Sequence, residues 1–474
     1  MVLRVSKKIG ILFLSLFLLL SLSSCLDDLK LPELNLSSNG QVNVVYQVLD
    51  QVYYEELPLN LTKINTLEEL FKFTDPYTYI YKDNSRDIEI GEEYYGLGIT
   101  ITDHNLGLLI TGINDDLGVD EELYVGDIIT EVNNTSIQTL EFNDKTSTLK
   151  GEKDEILALT IRRNNENIVI NRKISLIPFN SITYKLLDFK IGYIKIHRFG
   201  VDTATKFKEA LEGLEQTGMT TLIIDVRNNG GGYLDAVKEI LECFIVDDEP
   251  YLYLNKVKDN EKTSYYSPLK ELKEYNVIAL VNGGSASASE VLAGTLFKYG
   301  FDVFGEKTYG KDVFQVGIAL GEVSSLFEKD DILNVTMGYW LLNDETRVTG
   351  GLMPTITHVQ TGLLALEYPT LMHNYQNGEY QAVVYQMGEA NKQIATYQFI
   401  LNTFEPFYYQ PGLFELSTKN ALIQFQTLNL IEVTGILDVR TQMGLISSYR
   451  TLIKDDSYDN QLKGLYNYIK ENEN

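Results

Sequence analysis

The sequence predicts a multidomain α/β protein, and three observations support that prediction. The 474 residues exceed one ordinary domain, since domains typically hold about 100–200 residues. Between about residues 180 and 305, buried strand patterns alternate with helix patterns, as in a sheet covered by helices. A β-rich block precedes this core, and apolar residues at helical spacing mark small helical regions at both ends of the chain.

The charge and the cysteine content exclude several classes of protein. With 40 Lys and Arg against 66 Asp and Glu, the net charge is −26, which argues against a protein that binds nucleic-acid phosphates. Two cysteines form no disulfide scaffold. The four histidines are widely scattered, so a zinc site would have to be assembled from distant residues.

The N-terminus has the pattern of an export signal. Basic residues without an acid precede an apolar run at residues 11–22, which suits a signal peptide because it is short for a membrane span. Leu22-Ser23-Ser24-Cys25 follows and resembles a bacterial lipobox, whose cysteine carries a diacylglyceryl group. The alternative is an ordinary signal peptide with a chance cysteine. The lipobox implies lipidation of Cys25 and a place on the extracytoplasmic face of the cell membrane.

Changes of composition and pattern divide the rest of the chain. The predicted segments are a signal peptide (1–24), a tether (25–39), an N-terminal helical segment (40–87), a β-rich domain (88–178), an α/β core (179–360), a linker (361–386), a small all-α domain (387–450) and a C-terminal tail (451–474). We see no long internal repeat and no low-complexity tract.

Hydrophobic periodicity predicts the elements within these segments. In the N-terminal segment, Val42, Val45, Tyr46 and Leu49 recur at helical spacing, and a second helix begins near Thr66. The β-rich block has predicted strands at 98–102, 108–113, 127–132, 155–162 and 168–174. The core has predicted strands at 191–196, 221–226, 277–281 and 303–304 and helices at 203–214, 234–244 and 289–299. Two amphipathic helices of the C-terminal domain are marked by Ile394, Tyr397, Leu401 and Phe404 and by Ala421, Leu422, Phe425 and Leu428.

A run of small residues after a predicted strand contains the first candidate site, Val281-Asn282-Gly283-Gly284-Ser285-Ala286-Ser287-Ala288-Ser289-Glu290. Small residues allow a strand to turn sharply into a helix and leave a hydroxyl exposed at the turn. Taken alone, Ser287 and Glu290 also fit a capping box at the start of a helix.

A second stretch, Thr308-Tyr309-Gly310-Lys311, places its lysine 24 residues after Ser287. Together the two stretches resemble the C-terminal processing peptidases, or tail-specific proteases, which are serine peptidases with a Ser/Lys dyad. The resemblance implies Ser287 as the nucleophile, Lys311 as the general base and Gln315 as the residue that orients the lysine. It extends over about residues 40–360, including Asp75-Pro76-Tyr77-Thr78, and implies a core with the ClpP/crotonase-like α/β fold.

The chemistry of a Ser/Lys dyad agrees with this pattern. A serine hydroxyl is a poor nucleophile until a base accepts its proton. An ammonium with a pKa of about 10.4 is no base at neutral pH, but burial disfavours the charged form and lowers the pKa of a lysine. Tyr309, Val313 and Phe314 could supply such a setting for Lys311.

A third stretch, Asp225-Val226-Arg227-Asn228-Asn229-Gly230-Gly231-Gly232, resembles the Gly-rich turn that follows a core strand in the same peptidases. The resemblance implies that the N–H groups of Gly231 and Ala288 form the oxyanion hole, which stabilises a tetrahedral intermediate. The alternative, a phosphate-binding loop, agrees less well because the glycine spacing matches neither a P-loop nor a dinucleotide-binding motif.

Two features depart from the family pattern. Asp312 stands where the family often has glycine, and a carboxylate beside Lys311 could raise the pKa of that lysine. The interval between Ser287 and Lys311 is also one residue shorter than the usual interval.

The flanking domains also carry resemblances. The β-rich block resembles a PDZ domain, in which Tyr95, Gly96, Leu97, Gly98 and Ile99 would form the loop that binds a peptide carboxylate. The alternative is an ordinary glycine-containing turn. Residues 387–450 resemble a small three-helix peptidoglycan-binding domain, and the alternative is a generic helical extension.

These resemblances imply a lipid-anchored, extracytoplasmic serine endopeptidase that captures a substrate by its C-terminus. Its partners would be proteins or peptides, the membrane and peptidoglycan, with an oligomer left open, and no metal or organic cofactor is implied. The competing hypothesis is a degenerate peptidase that acts as a peptide-binding scaffold at the cell surface.

Overall fold

The computed structural model describes residues 36–58, 60–82, 94–113, 122–124, 126–163, 166–177, 180–188, 190–366, 369–371, 373–376 and 379–472. The predicted signal peptide and the predicted lipidation site Cys25 lie outside these residues, so both stay predictions. Within the described ranges, no helix is long and apolar enough to cross a bilayer.

The strands are numbered in chain order. They are β1 (Tyr79–Lys82), β2 (Tyr94–Gly96), β3 (Ile99–His104), β4 (Gly107–Ile113), β5 (Ile128–Val132), β6 (Thr135–Ser136), β7 (Ile156–Arg163), β8 (Glu166–Lys173), β9 (Ser175–Ile177), β10 (Ile182–Asp188), β11 (Ile191–Ile196), β12 (Thr221–Asp225), β13 (Leu252–Lys256), β14 (Glu261–Tyr265), β15 (Asn276–Val281), β16 (Asp302–Gly305), β17 (Val313–Ala319), β18 (Asp331–Leu342), β19 (Ile356–Thr357), β20 (His373–Gln376) and β21 (Glu379–Ala382).

The α-helices are numbered in the same way. They are α1 (Gly40–Val52), α2 (Leu67–Phe71), α3 (Phe142–Ser147), α4 (Thr203–Glu215), α5 (Leu234–Leu241), α6 (Ala288–Lys298), α7 (Leu320–Val323), α8 (Lys392–Phe404), α9 (Leu416–Leu428), α10 (Val439–Leu452) and α11 (Asn460–Asn472). The chain forms two compact units, one from the described parts of 1–92 and 180–357 and the other from those of 93–179 and 358–474.

A mixed sheet in the order β10-β11-β12-β15-β16-β19 forms the centre of the first unit. β10 runs antiparallel to β11, and the other neighbours are parallel. Every residue of β12 is buried, as expected of a parallel strand covered on both faces. This confirms the predicted α/β alternation. The carboxyl ends of β12 and β15 meet at one edge of the sheet, and the turns that follow them carry Gly231 and Ser287.

A second sheet of the first unit has the order β1-β18-β13-β14, with β17 also paired to β18. The hairpin β13–β14, strand β17 and the long strand β18 were not assigned in the sequence analysis. In β18, buried residues alternate with partly exposed ones only in its second half. The mixed pattern gives no clear period, which explains why periodicity did not identify this strand.

The N-terminal helices pack on this second sheet. Val42, Val45 and Leu49 of α1 share a core with Leu333 and Val335 of β18. Two short helices cannot bury their apolar faces alone. The segment at 40–87, predicted as a helical region, therefore packs on the second sheet and also contributes strand β1 to that sheet.

The second unit contains the β-rich block and the C-terminal helices. Its main sheet has the order β3-β4-β5-β7-β8, with β6 on β5, and a separate ribbon pairs β2 with β9. The helices bury a core that includes Ile394, Leu422 and Leu445. The region predicted as a tail at 451–474 contains α11, whose buried residues Leu462 and Leu465 have the spacing of an amphipathic helix.

Candidate active site

Ser287 lies at the sharp turn between β15 and α6. Its backbone has φ 55° and ψ −116°, and such a positive-φ conformation costs on the order of 1–3 kcal/mol in a residue other than glycine. The Ser287 N–H donates to Glu290 Oε2 at 2.9 Å, which helps to hold this turn. The predicted turn from a strand into a helix is confirmed, and it places Ser287 at a helix N-terminus that favours negative charge.

The three serines of this run differ in their surroundings. Ser285 and Ser289 are fully buried. Ser285 Oγ donates to the carbonyl oxygen of Val226, and Ser289 Oγ donates to that of Asn229, both at 2.8 Å. Ser287 instead lines a cavity. The geometry therefore favours Ser287 over its neighbours as the serine that a substrate can reach.

The cavity beside Ser287 has a volume of about 490 Å³. It brings together most residues predicted for the site, because its lining includes Gly231, Ser287, Ala288, Lys311 and Gln315. Apolar side chains line the same cavity, namely Leu254, Val291, Phe314 and Trp340. Among the described residues that line it, none is a histidine.

Lys311 follows Gly310 in the turn before β17 and is largely buried. Burial lowers the pKa of Lys311 from 10.5 to about 8, although the nearby charges of Asp75 and Glu290 act in the opposite direction. The amine Nζ lies 4.3 Å from the centre of the Tyr77 ring. A lysine in this setting can be neutral at a pH at which an exposed lysine is fully charged.

The turn at residues 75–78 reaches Lys311 from the N-terminal segment. Asp75 Oδ1 accepts hydrogen bonds from the Tyr77 N–H at 3.0 Å and from Thr78 Oγ1 at 2.9 Å. Asn334 Nδ2 of β18 donates to the Tyr77 carbonyl oxygen at 2.8 Å. In the described part of the chain, Asp75 Oδ2 is buried without a hydrogen-bond partner. The turn thus brings an aromatic ring and a carboxylate to the lysine.

Gly231, a predicted donor of the oxyanion hole, lies beside Ser287, but its N–H already has an acceptor. A Cβ built on Gly231 would lie 2.9 Å from Ser287 Cβ and 3.1 Å from the Ala288 nitrogen, so this turn does approach the nucleophile. The Gly231 N–H, however, donates to Asn229 Oδ1 at 2.8 Å. A side-chain amide two residues earlier thus binds the donor that the sequence analysis assigned to the oxyanion, so Gly231 donates there only if this bond is released or shared.

A buried ion pair supports the Gly-rich turn. Arg227 Nη2 donates to Asp225 Oδ2 at 2.7 Å, and the Tyr193 hydroxyl donates to the same oxygen at 2.6 Å. Burial alone would raise the pKa of Asp225, but the charge of Arg227 and these hydrogen bonds lower it below its usual value. The carboxylate therefore stays ionised and fixes the end of β12.

Gln315 lines the cavity but has a different partner from the one predicted. Its Nε2 donates to Thr336 Oγ1 at 3.1 Å, and no hydrogen bond to Lys311 is present among the described residues. A bulge in the pairing of β17 with β18 falls between Phe314 and Gln315. The assignment of Gln315 as the residue that orients the lysine stays a prediction.

Asp312, which directly follows Lys311 in the chain, has a partner other than the lysine. Arg347 binds both of its carboxylate oxygens, each at 2.8 Å, and Thr349 Oγ1 also donates to it. Asp75 and Glu290, not Asp312, are the charges that act on Lys311. A bidentate guanidinium thus balances the charge of Asp312, and we expect this carboxylate to have little effect on the pKa of Lys311.

Glu290 has contacts beyond those of a helix cap. Its carboxylate is fully buried and accepts hydrogen bonds from the Ser287 turn and from the Lys311 turn. The sequence predicts Glu290 only as a capping partner and predicts no role for Tyr77 at the site. The position of Glu290 at the end of the serine run is the sequence feature that could have indicated a role at the site. Nothing local in the sequence indicates that Tyr77 reaches Lys311.

The predicted peptide-binding loop lies in the second unit. Tyr95 and Gly96 belong to β2, Leu97 is buried, and Gly98 has φ +69° before β3 begins at Ile99. Within the described residues, β3 pairs with β4 alone and is an edge strand. An unpaired strand edge next to a glycine turn is the geometry that accepts an added peptide strand.

Most of this chain is similar in sequence to known proteases. Residues 190–358 match peptidase family S41. The carboxy-terminal processing protease CtpB of Bacillus subtilis (strain 168) is 26% identical over 442 residues, covering 89% of this chain and 87% of that protein. The probable CtpA-like serine protease of Staphylococcus aureus (strain N315) is 27% identical over 456 residues, covering 93% of this chain and 87% of that protein.

Among solved structures, the photosystem II D1 C-terminal processing protease matches with a TM-score of 0.43 and 18% identity, over 68% of this chain and 94% of that one. The matched region of the family includes both Ser287 and Lys311. Residues 190–358 of this chain therefore form a peptidase family S41 domain, and the chain is a serine-type peptidase.

Proposed function

We propose that this chain is a C-terminal processing endopeptidase that cleaves proteins with a Ser287/Lys311 dyad. The observation that carries the proposal is the shared cavity, in which a strained serine at a helix N-terminus and a buried lysine border the same space. The lowered pKa of Lys311, at about 8, supports its use as a base near neutral pH. The names of the relatives, a carboxy-terminal processing protease and a probable CtpA-like serine protease, agree with this proposal.

The reaction begins when the neutral amine of Lys311 takes the proton of Ser287 Oγ. The oxygen forms a bond to the carbonyl carbon of the scissile peptide, and the carbonyl oxygen becomes an oxyanion. The C–N bond then breaks, the Lys311 ammonium gives its proton to the leaving amine, and an ester remains on Ser287. Water, deprotonated by Lys311, attacks this ester, and the proton returns to Ser287 as the acid product leaves.

The oxyanion would be stabilised at the start of α6. The Ala288 N–H belongs to the first residue of that helix, and helix N-termini favour negative charge. The second donor is Gly231 if its N–H exchanges Asn229 Oδ1 for the oxyanion. The removal of one such donor typically costs about 10²- to 10³-fold in kcat.

Substrate capture is proposed for the β-rich block as a PDZ domain. The residues Tyr95 to Ile99 would bind a substrate C-terminal carboxylate, while the substrate adds as a strand to the edge of β3. A peptide that ends in a free carboxylate should therefore bind the Ser287→Ala protein more tightly than its C-terminal amide. Equal affinities would contradict this part of the proposal.

The anchoring of the protein is a separate proposal. Lipidation of Cys25 would hold the enzyme at the extracytoplasmic face of the membrane, and the helical domain at 387–450 would bind peptidoglycan. The wild type should then sediment with membranes and a Cys25→Ala variant should not. The full-length Ser287→Ala protein should also sediment with purified peptidoglycan, and its absence from the pellet would exclude the second role.

The dyad is tested by proteolysis of an unstructured protein with a soluble 26–474 fragment. Ser287→Ala and Lys311→Ala should each lower the rate on the order of 10³-fold or more while circular dichroism and the melting temperature show a folded protein. Ser285→Ala should keep the dyad and serves as the matched control. If the wild-type fragment binds peptides but never cleaves them, the alternative of a surface scaffold holds instead.

A further inference from the structure

Glu290 links the two turns that carry the predicted nucleophile and base. Its carboxylate is fully buried. Oε2 accepts the N–H of Ser287 at 2.9 Å and the N–H of Lys311 at 2.8 Å. One oxygen atom therefore holds the backbones of both residues, although 24 residues separate them in the chain. Their two nitrogen atoms can lie no farther apart than the sum of those two hydrogen-bond distances.

The second carboxylate oxygen fixes the remainder of the lysine turn. Oε1 accepts the Gly310 N–H at 2.7 Å and Thr308 Oγ1 at 2.6 Å. Three of the four donors thus belong to residues 308–311, and only one belongs to the helix that Glu290 would cap. A residue that served the helix alone would have no need of these three contacts.

The four donors require a group that only accepts hydrogen bonds. An ionised carboxylate has about four lone-pair sites and no donor, whereas a protonated carboxyl or an amide would place a donor against one of the N–H groups. Burial raises the pKa of Glu290, while the bonds from Thr308, Gly310, Ser287 and Lys311 oppose that rise. The donors therefore stabilise the ionised form that they need.

We propose that Glu290 is a positioning residue of the peptidase reaction, which sets the distance between the Ser287 hydroxyl and the Lys311 amine by holding both turns on one carboxylate. This inference rests on the proposed Ser287/Lys311 dyad. A misplacement of reacting groups by about 1 Å can cost on the order of 10²-fold in rate. The loss of Glu290 should therefore affect the chemical step and leave the binding of substrate unchanged.

The charge of Glu290 has a second consequence for Lys311. It favours the ammonium that Lys311 becomes when it takes the serine proton. The other groups that act on the amine are Asp75 and the Tyr77 ring from the 75–78 turn. Tyr309, on the lysine turn itself, acts on the Tyr77 hydroxyl and helps to raise the pKa of Tyr77. Removal of the Glu290 charge should therefore shift the rising limb of the pH–rate profile to lower pH.

The test uses the 26–474 chain with Glu290→Gln, which keeps the size of the side chain and removes its charge. We expect kcat to fall about 10²-fold, with KM within twofold of the wild type. The rising limb of the pH–rate profile of the residual activity should lie at lower pH than in the wild type. In a Ser287→Ala background, Glu290→Gln should leave the Kd of a substrate peptide unchanged. Glu290→Asp, which keeps the charge on a shorter side chain, should lose kcat without the shift of the pH limb.

Leu292→Ala is the matched control for stability. Leu292 is fully buried on the same helix, and its apolar side chain cannot form hydrogen bonds with the two turns. Its truncation to alanine should lower the free energy of unfolding by about 2–5 kcal/mol. At a temperature where both proteins are folded, Leu292→Ala should keep most of the wild-type kcat. If Glu290→Gln fails to fold, Glu290→Asp provides the same comparison of kcat with KM.

The outcomes separate this inference from the proposed function. Full kcat in Glu290→Gln, or equal losses in Glu290→Gln and Leu292→Ala, would overturn the positioning role while the inactivity of Ser287→Ala upholds the dyad. Activity that survives in Ser287→Ala would instead overturn the dyad itself. A change confined to KM in Glu290→Gln would place the residue in substrate binding and refute the inference.

Discussion

The most direct consequence of the buried lysine is a pH–rate profile set by Lys311. Its pKa of about 8 lies well below the usual 10.5, a difference worth about 3 kcal/mol. At pH 7 the neutral fraction of the amine is then about 9%, against about 0.03% for an exposed lysine. Burial therefore raises the amount of active base about 300-fold at that pH.

The sign of the effect follows from the mechanism, since only the neutral amine can accept the serine proton. The value of kcat/KM should rise about tenfold per pH unit below about pH 7.5 and become constant above about pH 9. The assay is the initial rate on one fluorogenic peptide at constant ionic strength from pH 5.5 to 10.5. The thermal melting of the same samples shows that the enzyme stays folded over that range.

Two results would refute this reasoning. A rate that still increases about fivefold between pH 9.5 and pH 10.5 would mean that Lys311 behaves as an exposed lysine with a pKa near 10.5. A limb near pH 6.5 that vanishes when one of the four histidines is replaced would identify a histidine as the base. The lining of the cavity argues against the second result, because its described residues include Lys311 and no histidine.

Three further substitutions test the surroundings of the lysine. Asp75→Asn removes a charge that raises the pKa of Lys311, so the rising limb should move to lower pH; an unmoved limb would show that Asp75 is electrostatically remote. Asp312→Gly should leave the limb in place, because Arg347 balances that carboxylate, but should lower the melting temperature; a displaced limb would refute the pairing. Lys311→Met should stabilise the protein at pH 7 by on the order of 1–3 kcal/mol, after allowance for the partly solvated amine. The lowered pKa means that the folded state disfavours the charge below about pH 8, so this gain should shrink as the pH rises from 8 to 10.5, which urea unfolding at several pH values can measure.

The local patterns of the sequence were sufficient to predict the architecture around the nucleophile. The run of small residues predicted the turn that carries Ser287, and the alternation of apolar segments predicted strands β11, β12 and β15 with their helices. These features depend on residues that are neighbours in the chain, so periodicity and turn chemistry can identify them. The strand β18 lacked such a period and was found only in the structure.

The environment of each candidate residue depended on contacts between distant parts of the chain. Tyr77 and Asp75 approach Lys311 from the N-terminal segment. The Asn229 side chain accepts a hydrogen bond from the Gly231 N–H, and Arg347 balances the charge of the Asp312 carboxylate. A pKa or a free donor is set by burial and by the groups that pack nearby, and no local spacing encodes these. The sequence by itself thus determined which serine and lysine are candidates for the chemistry, whereas only the tertiary structure decided which charges and hydrogen bonds act on them.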